Sequence, residues 1–336
     1  MPTFCRHNRF IERCPICSKT LPSNEPARAS SPRAKATARP RAAGERAART
    51  RAHSDGLRVR REGRTADDGY RCELVPGLRA SADAVRLAEE LAFASGRLLA
   101  LAADPPGLYG EIRALAEDDL ERATWACFLT AYLCPLEQGA TPHGGDPFAG
   151  IRQALAAAPG ELPDLSDVPL GPRTSHDPAR GAGTLIAYRQ WVERAGEAQA
   201  IAFTGDPAWS PERRFERLFE RLALPGFSRA GRYELLVLLG RLGLYALRPD
   251  SLQLAGVRGA AAEDATALAA KRVFGIADPL LLERRSTALA QAVSVPIEAL
   301  DLALANWAGP QPATLGFPRE VVDEGAFERA GDALGV

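Results

Sequence analysis

From Phe215 to Leu244 the chain spells two helices joined by a four-residue turn, and no other stretch limits the fold as strongly. Phe215, Leu218, Phe219 and Leu222 recur at i, i+3, i+4 and i+7, one face of a helix. Pro225-Gly226 stops that helix, because proline has no N–H to donate and glycine accepts a left-handed backbone. Ser228 is the expected N-cap of the second helix, whose apolar face is Leu235, Leu236, Leu238, Leu239 and Leu242. Three more helix-length segments follow with no strand pattern between them. The expected fold class is mainly α.

Helical periodicity extends this reading on both sides. Val85–Leu101 is amphipathic and ends at Asp104-Pro105-Pro106; Leu120–Cys134 is apolar on nearly every side, as a central buried helix would be. Cys127 and Cys134 read as small buried hydrophobes. A short helix is expected around 148–157 and one continuous helix over 183–203, with a break at Asp206–Trp209. Further helices are expected over 262–274, ended by Gly275, over 279–293, capped by Asp278 with Pro279 in its first turn, and from Pro296 onward. The tail from Gly309 reads as irregular, with a short helix near Ala326. The loop histidines His143 and His176 carry no pattern that marks them as catalytic.

The N-terminal fifth is different in kind. Cys5, His7, Cys14 and Cys17 form C-x-H-x6-C-x2-C, ligand types and knuckle spacing suited to tetrahedral zinc. So short a segment has no core, and the metal would supply its folding energy. A redox C-x-x-C pair or stray cysteines are the other readings, although a redox pair belongs in a βαβ context that is absent here. Four protein ligands leave no open position, so this zinc is structural. Residues 20–55, rich in Arg, Ala and Pro, have too few large apolar side chains to offset ordering entropy and are expected to be disordered. Alternation at Leu57–Arg60 and again at Tyr70–Leu74 suggests a short β-hairpin within 56–76. The expected organisation is thus a zinc knuckle over 1–19, a linker over 20–55, a hairpin over 56–76, a helical domain over 77–310 and a tail over 311–336.

Charge divides along the same line. Residues 1–64 hold 16 Lys and Arg against 5 Asp and Glu, net +11, and because the chain balances at 42 of each the remainder is net −11. A basic arm on an acidic body fits a polyanionic partner contacted through the arm, or a solubilising tail. No apolar run approaches the roughly 20 residues of a membrane span. No secretory leader pattern opens the chain, so a cytoplasmic protein is expected. Lys271 is the single lysine beyond residue 35 in a chain that otherwise uses arginine.

The turn Leu224-Pro225-Gly226-Phe227-Ser228 resembles the helix-hairpin-helix of DNA glycosylases, in which turn N–H groups and a helix N-terminus hold a DNA phosphate. That resemblance implies DNA contacts from Gly226, Ser228, Arg229 and Arg232. Ser228 stands where that family has a second glycine, and the residues of the turn by themselves favour a plain αα-hairpin. The segments Ala269–Asp278, Glu283-Arg284-Arg285 and Leu300–Trp307, with the hairpin and the Cys/His cluster, resemble the alpha-glutamyl/putrescinyl thymine pyrophosphorylases, clade 3. This group is related to the helical domain of 5-hydroxymethyluracil DNA kinases and is DNA-glycosylase-like. The resemblance implies DNA base hypermodification: an amine displaces pyrophosphate from a modified thymine-type base. DNA would be the partner, and a hydroxymethylpyrimidine DNA kinase would act in the same pathway.

Such chemistry calls for cations around an anionic leaving group and a carboxylate to deprotonate the amine. The candidate cations are Lys271, Arg272, Arg284 and Arg285, and the candidate bases are Asp278 and Asp301, with Asp278 also wanted as an N-cap. A non-catalytic DNA-binding module and a protein-interaction scaffold are the competing readings.

Overall fold

The computed structural model describes residues 65–136, 145–157, 161–254 and 264–336, all within one compact unit. The zinc ligands, the basic linker and the Leu57–Arg60 half of the expected hairpin lie outside these residues. Tyr70–Leu74, the other half, pairs with no strand, and there is no strand among the described residues. Side chains hold it instead: the Tyr70 hydroxyl donates to the Leu334 carbonyl (2.6 Å), and Cys72 lies against Ala333.

Twelve α-helices are described: α1 Ser81–Ala103, α2 Leu108–Asp118, α3 Leu120–Leu133, α4 Ala149–Leu155, α5 Gly183–Gly196, α6 Gln199–Thr204, α7 Pro211–Arg221, α8 Arg229–Arg241, α9 Ala265–Phe274, α10 Pro279–Val293, α11 Ile297–Ala308 and α12 Glu324–Leu334. Helix α3 packs against α2, α4, α6 and α8, while α1 packs against α8, α11 and α12. The α1–α8 contact joins these two groups over one core. No single described helix is long and apolar enough to cross a membrane; α10 and α11 pass that test only as a pair, bent by 105°.

Local chemistry accounts for most helix boundaries. Ser210, Ser228, Asp264, Asp278 and Asp323 each accept a backbone N–H from the first turn of the helix that follows. The helix expected over 183–203 is two, because Gly196 and Glu197 both turn to positive φ. Glu121 then accepts the Gln199 and Ala200 N–H groups and so restarts the chain as α6. Helix α2, between Pro106 and α3, was not expected from the pattern. The presumed tail is built in: Phe317, Ala326 and Ala330 are fully buried, and α12 lies against α1.

The turn at 224–228 is anchored from below. Phe227 inserts edge-on against Phe128 (ring centroids 5.4 Å), which is itself stacked on Tyr188 at 3.8 Å. Gly226 has φ +79°, and a Cβ there would lie 2.3 Å from the Thr184 hydroxyl, which donates to the Pro225 carbonyl. Glycine is therefore required twice over, by backbone conformation and by space.

Candidate functional site

An acidic residue stands out in the middle of α11, where Leu300, Leu302, Ala303 and Leu304 are all buried around Asp301. A carboxylate in such surroundings must be paired or lose its charge. Asp301 is paired twice. Its Oδ2 accepts from Arg173 Nη2 (2.6 Å), its Oδ1 from Arg229 Nη2, and Thr266 adds a hydroxyl at 3.2 Å. Arg229, first residue of α8, also reaches Asp264 (2.9 Å) and the Leu252 carbonyl (2.9 Å). Asp264 in turn caps α9 through the Ala267 N–H. Two arginines and two aspartates, drawn from the 171–176 loop, α8, the α9 cap and α11, thus form one closed and charge-balanced centre.

Burial alone would raise the Asp301 carboxyl, but Arg229 and Arg173 outweigh it and hold it at about 2. Burial likewise works against the Arg229 charge, and its two aspartates more than offset this. Arg232, one turn along α8, has no such carboxylate in contact. Burial and the nearby Arg229 bring it down to about 10, and it lies over the Phe219 ring at 4.3 Å while donating to the Phe219 carbonyl.

Beside the centre runs a second buried pair, Arg97 with Glu234. Between the two is a cavity of about 10 Å³ bordered by Arg173, Glu234, Thr130 and Tyr109, room for a single water molecule. Arg173 Nη1 and, in the second pair, Arg97 Nε are buried with no hydrogen-bond partner among the described residues. His176, on the same loop, bonds the Tyr132 hydroxyl through Nδ1 (2.9 Å), and burial lowers its basicity. On the outer side, Ser175 and Ser228 share a hydroxyl hydrogen bond (2.6 Å), and the exposed Arg180 passes close to Gly226.

The residues expected from the sequence to form a site fall in several places. Asp301 and Arg229 meet in the buried centre. Arg229 is only 4% exposed and its donors face Asp301, Asp264 and Leu252, so it is directed away from any external phosphate. A carboxylate held at about 2 is also a weak proton acceptor at neutral pH. Gly226 and Ser228 shape the turn, and Ser228 caps α8 through the Gly231 N–H (3.0 Å). Asp278 accepts the Leu280 and Leu281 N–H groups, an N-cap with its oxygen engaged.

Arg272 is exposed and lies over the Trp307 ring at 5.1 Å; Arg285 is exposed and donates to the Glu73 carbonyl; Arg284 is exposed. Lys271 is half-buried on α9, with no ion pair among the described residues. None of these four cations contacts Asp301. Cys5, His7, Cys14 and Cys17 lie outside the described residues, and no group of three or more His, Cys, Asp or Glu suited to a metal occurs among those described.

Arg173, Asp264 and Thr266 were not singled out by the sequence. A usable signal existed for the first: one carboxylate in an otherwise apolar helix demands a cation, though not which of the many arginines. Comparison with known proteins adds one result. No curated protein and no solved structure matches the chain. Residues 173–315, which begin at Arg173 and enclose Arg229, Asp264 and Asp301, match the family described as alpha-glutamyl/putrescinyl thymine pyrophosphorylase clade 3.

Proposed function

We propose that the protein hypermodifies a base in DNA, replacing pyrophosphate on a modified thymine-type base with an amine. The observation that carries this reading is the family match over the segment that contains the buried charge centre. In the reaction the amine nitrogen attacks the methylene carbon attached to the base. The carbon–oxygen bond to pyrophosphate breaks, pyrophosphate leaves with the electron pair, and the new ammonium loses a proton.

The chain's part is electrostatic. Arg173 keeps one guanidinium nitrogen on Asp301 and has another buried with no hydrogen-bond partner among the described residues, so it would contribute positive field from within rather than a direct contact to the leaving anion. Arg180, exposed beside the hairpin turn, would be the outer cation, and the turn from Gly226 to Ser228, at the N-terminus of α8, would hold a DNA phosphate. Asp301 and Arg229 act as positioning residues. A hydroxymethylpyrimidine DNA kinase would supply the substrate, and residues 1–19 would hold one structural zinc through Cys5, His7, Cys14 and Cys17.

The test is an oligonucleotide carrying 5-(pyrophosphoryloxymethyl)uracil, incubated with the full chain and a panel of amines. Release of pyrophosphate with a mass shift of the base supports the reading, and its loss in Arg173→Ala locates it. A DNA-binding reading without catalysis draws on one observation: the cavity beside Arg173 is only about 10 Å³, too small for a base. DNA binding with no pyrophosphate release for any amine would favour that reading. The zinc is tested separately: metal analysis should give about one zinc per chain, reduced in Cys14→Ser.

A further inference from the structure

The loop that carries Arg173 to the buried centre turns a histidine inward three residues later. His176 is 6% exposed, packs edge-on against the Tyr132 ring (centroids 5.4 Å) and bonds the Tyr132 hydroxyl through Nδ1. Its Nε2 is buried with no hydrogen-bond partner among the described residues. A neutral imidazole carries one N–H and needs one acceptor, whereas an imidazolium donates from both nitrogens and needs two. The slot supplies one.

The same loop is fastened to the turn that joins α7 and α8. Ser175 shares its hydroxyl hydrogen bond with Ser228, the N-cap of α8, and is so close that a Cβ at Gly231 would lie 2.3 Å from the Ser175 hydroxyl oxygen. Behind it the Tyr132 carbonyl accepts the Ser175 N–H (2.8 Å) and the Thr174 hydroxyl (3.2 Å), and the Tyr132 ring lies edge-on to Phe227 of the turn (6.3 Å). The Tyr132 hydroxyl also interacts with the Thr184 hydroxyl, which donates to the Pro225 carbonyl (3.0 Å). Tyr132 thus touches His176, the loop backbone and the turn at once. We propose that His176 is an acid-released latch: its neutral ring holds residues 174–177 against the hairpin turn, and protonation expels the ring and frees the turn from the loop.

Few charged or polar groups face the ring. Asp177 and the Leu165 carbonyl favour the cation, and burial outweighs both, so the ring is less basic than an ordinary histidine. Asp177 is a weak counterion because its carboxylate is half exposed and already accepts from Arg180 (3.3 Å) and the Ala179 N–H (3.0 Å). A group less basic in the closed form than in the open one favours opening as pH falls. The open form therefore gains below about 6.5, by at most about tenfold per pH unit, until the ring takes up its proton in place. This range lies far above the value of about 2 at which Asp301 is held, so the latch opens while the buried centre keeps its charges.

The experiment is hydrogen–deuterium exchange of the full chain at pH 7.5 and pH 5, without DNA, with rates corrected for the intrinsic effect of pH. Amides of residues 173–177 and 224–231 are expected to exchange at least about fivefold faster at pH 5, while those of α11 keep their protection. His176→Gln should remove the difference, because glutamine does not titrate. In proton NMR of the parent, the His176 ring, assigned through its contacts with Tyr132, should titrate below about 6.5. Neither the parent's exchange nor this titration needs a variant, so the proposal can fail even if His176→Gln folds poorly. Equal protection at both pH values would overturn it, as would a His176 ring that titrates at or above about 6.5 or an unchanged pH response in His176→Gln. Equally faster exchange in α11 would mean general loosening in acid, and would overturn it too. Because no DNA is present, this outcome and that of the pyrophosphate assay are read separately.

Discussion

The buried centre at Asp301 and the open groove between α1 and α12 are both clusters of charge, yet they are opposites. In the centre every carboxylate has its guanidinium, the groups are almost wholly buried, and they come from four separate segments. In the groove Glu89, Glu324 and Glu328 face solvent around apolar side chains with no ion pair among the described residues, and the one cation on the lining, Arg319, is already held by Glu90. Buried charge that is fully matched holds a structure together, since each partner is costly to remove. Exposed charge that is unmatched costs the fold little. The two places should therefore respond to mutation in opposite ways.

The largest effect is expected at Asp301. Asp301→Ala leaves Arg173 and Arg229 buried without their shared partner, which should cost about 3–5 kcal/mol in a urea titration. A cost below about 1 kcal/mol would mean that the centre relaxes or hydrates easily, and the contrast with the groove would collapse. Next comes Gly226→Ala. The left-handed backbone alone costs about 1–2 kcal/mol, and the contact with Thr184 adds to it. Pairing it with Thr184→Ser, which keeps the hydroxyl that donates to Pro225, and with Thr184→Ala, which removes it, separates strain from lost space.

Acid should expose the same asymmetry. Asp301 sits at about 2 in the folded chain, below the roughly 3.9 of an unfolded aspartate. Its contribution is therefore complete above the unfolded value and is lost as pH falls toward and through about 2. Measured between pH 5 and pH 2, the parent should lose stability more steeply than Asp301→Asn; parallel slopes would remove Asp301 from the acid response. His176 acts in the same direction but earlier, because a histidine whose folded basicity is lowered resists protonation as pH drops below about 6.5. A His176→Gln protein should flatten that first part of the curve.

How much of this was legible beforehand depends on distance along the chain. Ser228 and Asp278 were readable as caps because a cap and its helix lie within three residues of each other. The Pro225-Gly226 turn and most of the helices followed from equally local rules. The Arg173–Asp301 bond spans 128 positions, and no local rule selects Arg173 from the other arginines. The Tyr70–Leu334 bond spans 264, which is why Tyr70–Leu74 read as half of a hairpin when its partner is the far end of the chain. The reaction's chemistry suggested Asp278 or Asp301 as a base among Lys271, Arg272, Arg284 and Arg285; Asp301 is instead paired with Arg173 and Arg229, because tertiary packing, which no local rule reads, selects a buried carboxylate's partners.

At the groove the expected change in stability is small. Glu324→Gln/Glu328→Gln should melt within about 0.5 kcal/mol of the parent, since both side chains are exposed with no ion pair among the described residues. A destabilisation of 2 kcal/mol or more would show that these carboxylates are matched after all. Glu324 lies in the first turn of α12, where its charge also favours the helix dipole. Glu324 alone should therefore carry most of whatever small loss appears.

The smallest effect is expected at Lys271, and it decides whether α9 contributes to function. The side chain is half-buried on a rigid helix, between Ala270, which is fully buried, and Arg272, which is engaged with Trp307. Its stem can lie on apolar surface such as Leu268 while the amine stays in water, which asks nothing of the amine. Lys271→Ala should then fall within about 0.5 kcal/mol of the parent, and Lys271→Arg should be indistinguishable from it. What a solvated lysine does not explain is any specific dependence on the amine itself. If Lys271→Arg melts like the parent yet loses DNA or pyrophosphate binding, charge alone is insufficient and the compact ammonium is being used. The working cations would then extend from Arg173 to α9. If both variants bind as the parent does, function is confined to the arginines around the hairpin, and this single lysine in an arginine-rich body is a surface residue.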